Sequence, residues 1–91
     1  MGVTAARHAE RVVDNTTRVL AIELIAGAAG LDCGEALAPG RGVAAAHAAV
    51  RRVVRPLRAD RFLAPDLTAA EQLIASGTLV ARVEADCGPL A

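Results

Sequence analysis

The stretch Thr4–Leu31, TAARHAERVVDNTTRVLAIELIAGAAGL, constrains the chain more than any other. Its polar and apolar residues recur at three- and four-residue steps, the period of an α-helix. Arg7, Glu10, Arg11, Asp14 and Arg18 make one polar stripe, and Ala6, Ala9, Val13 and Leu20 lie away from it. Thr4 is a candidate N-cap. Gly30 is expected to close the helix as its left-handed residue, with Leu31 as the apolar follower. The reading is one long helix over about 4–29.

From Val19 onward the helix changes character. Ala21, Ile22, Leu24, Ile25, Ala26, Ala28 and Ala29 surround a single charge, Glu23. A helix that is apolar on every side is a buried helix. A lone glutamate there calls for a cationic partner, an arginine from elsewhere. Gly27 costs about 1 kcal/mol against alanine in a helix interior, which points to a close backbone approach.

The rest of the chain offers little cover for such a surface. Ninety-one residues make one domain at most. The hydrophobic fraction is 54%, but alanine dominates it and Phe62 is the only aromatic residue. Alanine favours helix yet removes little apolar area from water. An alanine-rich core therefore needs close helix–helix contact over long interfaces, which suits an assembly better than a lone small domain.

Charge narrows the function classes. The formal net charge is zero, and every basic residue is an arginine. A balanced chain argues against nucleic-acid binding, which needs a basic face. Arg51, Arg52, Arg55, Arg58 and Arg61 form a local run, read as a solvated face with inter-helix ion pairs. The longest uncharged apolar run, Leu24–Leu31, is far short of the roughly 20 residues a bilayer requires, so no membrane partner is expected. The start, MGVTAARHAER, is polar and charged where a secretory signal would turn apolar. Cys33 and Cys87 are accordingly expected to be reduced thiols in a cytoplasmic protein.

Downstream, LDCGEALAPGR reads as a loop. A second helix is expected over about 42–55, ended by Pro56. PLRADRFLAPDLT follows as an extended linker, with Phe62 and Leu63 pinned against a neighbour. A third helix over about 68–76 carries a Thr68-x-x-Glu71 capping box and stops at Gly77. A fourth, over about 79–86, is capped by Thr78. The expected class is all-α: one long N-terminal helix, a medium helix, an extended linker and two short helices.

No set of side chains assembles into a chemical site. His8 and His47 lack a second ligand at zinc spacing. Cys33 and Cys87 have no CxxC partner. The glycines of GLDCGEALAPGRG follow no strand and match no phosphate loop. No nucleophile, base and orienting group come together. The expectation is no catalytic, no cofactor-binding and no metal-binding residue.

Several motifs in register carry a family resemblance. They are Met1-Gly2, RVLAIELIAGAAGLD (Arg18–Asp32), LAPGRGVAAAHAAVR (Leu37–Arg51), DRFLAPDL (Asp60–Leu67), LIASG (Leu73–Gly77) and the terminal GPL. In this order and spacing the whole chain resembles the C-terminal end of histidine ammonia-lyases, in the aromatic amino acid lyase family. The resemblance implies that residues 1–91 are a C-terminal helical segment of a larger helical lyase subunit, from a family of homotetramers built on long, nearly parallel helices. The parent reaction would be elimination of ammonia from L-histidine to give urocanate, in histidine degradation.

The family's electrophilic ring forms from an Ala-Ser-Gly set well upstream of this segment, and its catalytic acid lies in a segment similar to Q-E-D-H-V-S-M-G. Met1-Gly2 matches the end of that segment, just past the acid. Ala75-Ser76-Gly77 repeats the three residue types without the family's surrounding loop, and reads as a helix stop. The resemblance thus implies a chain inactive alone. It would partner itself or a larger lyase chain through the apolar face of the first helix. The alternative is a non-catalytic helical module that complements such a chain.

Overall fold

The computed structural model describes residues 2–34 and 37–90. Four helices follow one another, α1 (Gly2–Cys33), α2 (Arg41–Val53), α3 (Ala64–Ala75) and α4 (Thr78–Cys87), and no strand occurs among the described residues. The all-α expectation holds.

The long helix runs further than its sequence signals indicate. Gly30 does not close α1, which continues to Cys33. The reason is tertiary. Leu31 shares a groove with Val43 and Val50 of α2, and Asp32 is held by two α2 side chains. These contacts outweigh the glycine's cost of about 1 kcal/mol. Asn15-Thr16-Thr17, weak helix formers, stay helical, and the two threonine hydroxyls bond back to the preceding turn. Thr16 Oγ1 donates to Val12 O at 2.8 Å and Thr17 Oγ1 to Val13 O at 3.0 Å.

Two other boundaries also move. α2 ends at Val53, and Val54 is already extended at φ −129°, ψ 110°; two residues on, Pro56 has no N–H to continue the ladder and keeps Arg55 out of the helical region. α3 starts at Ala64, four residues before the expected Thr68. Pro65 sits in its first turn, where a missing N–H costs nothing. The expected capping box does not form, since Thr68 Oγ1 donates back to Ala64 O at 3.2 Å. Gly77 does stop α3, in the left-handed region at φ 78°. It also precedes α4, so Thr78 lies inside that helix and not at its cap.

The packed core is small. Ala28, Val50, Val54 and Leu73 form one buried cluster, with Leu24, Ile25, Ala69 and Leu79 against it. α2 and α3 pack on the C-terminal half of α1, and α4 packs on α2 and α3. Every residue from Gly2 to Thr16 is exposed. The Cα radius of gyration is 15.2 Å, against about 12 Å for a compact chain of this length. The difference is the free half of α1, which projects from the bundle.

The covered side of α1 is also not the expected one. Arg18 of the polar stripe faces α3, its Nε 3.8 Å from Glu71 Oε1. Only Ala21 and Ala28 of α1 are buried. Val19 and Ile22 are each 55% exposed, Glu23 is exposed, and nothing lies within 4 Å of a Cβ placed on Gly27. The buried glutamate and the close approach at Gly27 are therefore not found within this chain. Nor is Phe62 pinned: it is 81% exposed.

Candidate functional site

The densest polar cluster joins the end of α1 to the middle of α2. His47 and Arg51 stand one turn apart on α2, so both side chains point the same way. Asp32, carried there by the extra turn of α1, receives them on its two oxygens. His47 Nε2 donates to Oδ1 at 2.7 Å. Arg51 Nε donates to Oδ2 at 3.0 Å, and Nη2 donates to the same oxygen. Arg51 Nη1 also donates to Val54 O at 3.1 Å, just past the end of α2. The arginine bonds, then the histidine bond, hold the Asp32 carboxyl below its ordinary value of 3.8. His47 opens onto a groove of about 320 Å³ between α1 and α2, lined by Leu24, Ala28, Leu31, Val43 and Val50, with Glu23 at its edge.

A second polar clamp ties down the linker between α2 and α3. Arg61 donates from Nε to Asp66 Oδ2 at 3.0 Å, from Nη1 to Pro56 O at 3.0 Å and from Nη2 to Arg55 O at 2.7 Å. One guanidinium thus closes the chain between Arg55 and Asp66. Beside it lies a larger apolar hollow of about 470 Å³, lined by Ile22, Ile25, Val54, Leu57, Leu63 and Leu67.

Both clusters are ion-pair joints. Each carboxylate is occupied by guanidinium or imidazole donors, and among the described residues no hydroxyl or thiol is hydrogen-bonded to His47. The arrangement fixes helices and offers no nucleophile–base pair. His8 lies on the projecting half of α1, far along the chain from this cluster, and is exposed. Cys33 and Cys87 are free and exposed. Among the described residues no three His, Cys, Asp or Glu side chains are grouped for a metal, and no helix is long and apolar enough to cross a membrane. The arginine run separates as read from the sequence: Arg51 and Arg61 form the two ion-pair joints, whereas Arg52, Arg55 and Arg58 are exposed.

Sequence reasoning missed Asp32. The sequence signals put it in a loop after Gly30, and its meeting with His47 and Arg51 depends on a helix that runs past that glycine. The available signal was the i,i+4 spacing of His47 and Arg51, which marks a pair of donors facing one acceptor.

Ala75-Ser76-Gly77 does not fit a self-formed ring. Its backbone is committed to the junction of α3 and α4: Ser76 N donates to Gln72 O at 3.0 Å and Gly77 N to Ile74 O at 3.1 Å. Ser76 Oγ lies 2.8 Å from Thr78 Oγ1 and accepts from Thr78 N at 3.3 Å. The tripeptide is the turn between two helices.

Among the described residues the chain is all-helical, with a long, under-covered first helix and two polar clusters that join its elements. The chain belongs to the aromatic amino acid lyase family, whose model matches residues 1–52. It is similar to the histidine ammonia-lyase of Sorangium cellulosum, 52% identical over 90 residues, which cover 99% of this chain and 18% of that protein. The histidine ammonia-lyase of Symbiobacterium thermophilum is 52% identical over 92 residues, again 99% of this chain and 18% of the relative. That of Streptomyces coelicolor is 43% identical over 91 residues, with the same two shares. The chain therefore spans about a fifth of the length of the curated relatives it matches. No solved structure matches it.

Proposed function

We propose that these 91 residues serve as a helical scaffold segment of a histidine ammonia-lyase, and that the reacting groups lie outside them. The reaction of the whole enzyme would be elimination of ammonia from L-histidine to give urocanate. Supporting this is a match to histidine ammonia-lyases over 99% of the chain that takes up only 18% of each relative. The polar clusters fit the same role, since both hold helices together and neither presents a reactive group. The ring cofactor of such an enzyme would come from elsewhere, because Ala75-Ser76-Gly77 is spent on a helix junction.

The test is a chimera. This chain replaces the corresponding segment of the Sorangium cellulosum relative, and urocanate formation is followed by its ultraviolet absorbance. The chimera is expected to be an active lyase and the isolated 91-residue chain to be inactive. An inactive chimera, or urocanate from the isolated chain, overturns the proposal. A second reading is favoured by the bare apolar side of α1: the chain acts as a separate subunit that complements a larger lyase chain. Co-purification of the two from a co-expressing cell, at fixed stoichiometry, would support that form.

A further inference from the structure

The outward side of α1 has a finer pattern than general apolarity. From Ala5 the exposed positions alternate four and three residues apart, through Ala9, Val12, Thr16, Val19, Glu23 and Ala26 to Gly30. This is the seam spacing by which one straight helix packs along another. All of these residues are exposed. The charges Arg7, Glu10, Arg11, Asp14 and Arg18 lie off the seam, on the side that carries Arg18 toward α3. Side chains on the seam are small, so a partner helix can come close. One charge interrupts it. Among the described residues no cation stands within ion-pair distance of the Glu23 carboxylate.

We propose that this seam takes a partner helix of a different sequence, bearing an arginine or lysine at the level of Glu23. The inference rests on the scaffold reading above and names what that surface recognises. Charge decides against a second copy of this chain. Parallel copies would bring Glu23 against Glu23, two like charges in an apolar seam. Antiparallel copies centred between Thr16 and Val19 would bring Glu23 against Val12, a carboxylate buried without a partner. Arg11 and Arg18 cannot mend either arrangement, because both point away from the seam. A cation supplied by the partner mends both and also sets the register of the two helices.

The test uses the chain itself as probe. An E23R copy offers a matched seam with a cation opposite Glu23 in parallel packing, and a copy carrying both V12R and E23A does so in antiparallel packing. Each is mixed with the wild-type chain and followed by sedimentation equilibrium, with helicity checked by circular dichroism. At least one mixture is expected to associate tenfold or more tighter than the wild-type chain with itself. That gain should vanish when the wild-type component carries E23Q. If a variant loses helicity, lysine replaces the introduced arginine. Association no tighter than the wild type in both mixtures, or a gain that survives E23Q, overturns the proposal. Either result stands apart from the chimera's activity, which tests the lyase assignment alone.

Discussion

Arg51 places two nitrogens on one oxygen of Asp32, and His47 takes the other oxygen. This joint carries α1 past Gly30 and fastens its last turn to α2. D32N keeps the shape but removes the charge both donors seek. The expected result is faster amide exchange at the α1 C-terminus, around Leu31 to Cys33, with the rest of α1 unchanged. Equal protection in D32N and wild type would show that the glycine is crossed without the joint's help.

The same joint predicts a direction with pH. The folded Asp32 carboxyl titrates below its ordinary value of 3.8. Its contribution to stability is therefore complete above that value and is lost as pH falls through the lower, folded one. An acid titration below about pH 4 should loosen the last turn of α1 in the wild type. D32N should show no such step at these amides. The check is exchange or chemical shift at Leu31–Cys33 against pH.

Arg61 is a single-residue closure of the α2–α3 linker. Its three acceptors diverge, so a planar fork meets them where a point charge would not. R61K is expected to lose most of what R61A loses. R61A should cost roughly 1–3 kcal/mol, the range for hydrogen bonds to charged groups and for an acceptor left unpaired. Thermal or urea unfolding of the three chains checks this.

Two glycines should respond in opposite directions. Gly77 has φ 78° between α3 and α4, where a side chain costs roughly 1–2 kcal/mol, so G77A is expected to destabilise. Gly30 sits inside α1 with nothing within 4 Å of an added Cβ, so G30A is expected to stabilise the isolated chain by about 0.5–1 kcal/mol. Urea midpoints of both variants decide it.

Most of the helical architecture was legible because it depends on local signals: three- and four-residue periodicity, Pro56 as a stop, Gly77 as a left-handed turn. What escaped depended on contacts between distant residues. Gly30 carries a helix-ending signal, and His47 and Arg51 override it from α2 by holding Asp32. Pro65 looks like linker, yet a first turn tolerates it. The expected burial of α1 is not found within this chain, where Ala21 and Ala28 are its buried residues. Periodicity shows that a helix has an apolar side, but not whether this chain or another covers it. Asp32, the centre of the polar joint, was hidden for the same reason: its partners lie 15 and 19 residues away.

The small core gives the sharpest stability prediction. Leu73 is the largest side chain in the buried cluster, 6% exposed, and its neighbours there are Ala28, Val50 and Val54. It joins α3 to both α1 and α2, and among the described residues no other leucine is buried. L73A should cost roughly 2–5 kcal/mol, the transfer term plus the cavity. The chain around it is short and half of α1 is bare, so a loss of that size is a large part of any stability the isolated chain has. The expected outcome is loss of cooperative thermal unfolding while much of the helical far-ultraviolet signal remains, since α1 is held by local bonds as well as by packing. In the lyase chimera the same substitution should do less harm if, as proposed, docking covers α1 from its other side. Equal loss in both settings would mean that the outward seam contributes nothing to holding this segment together.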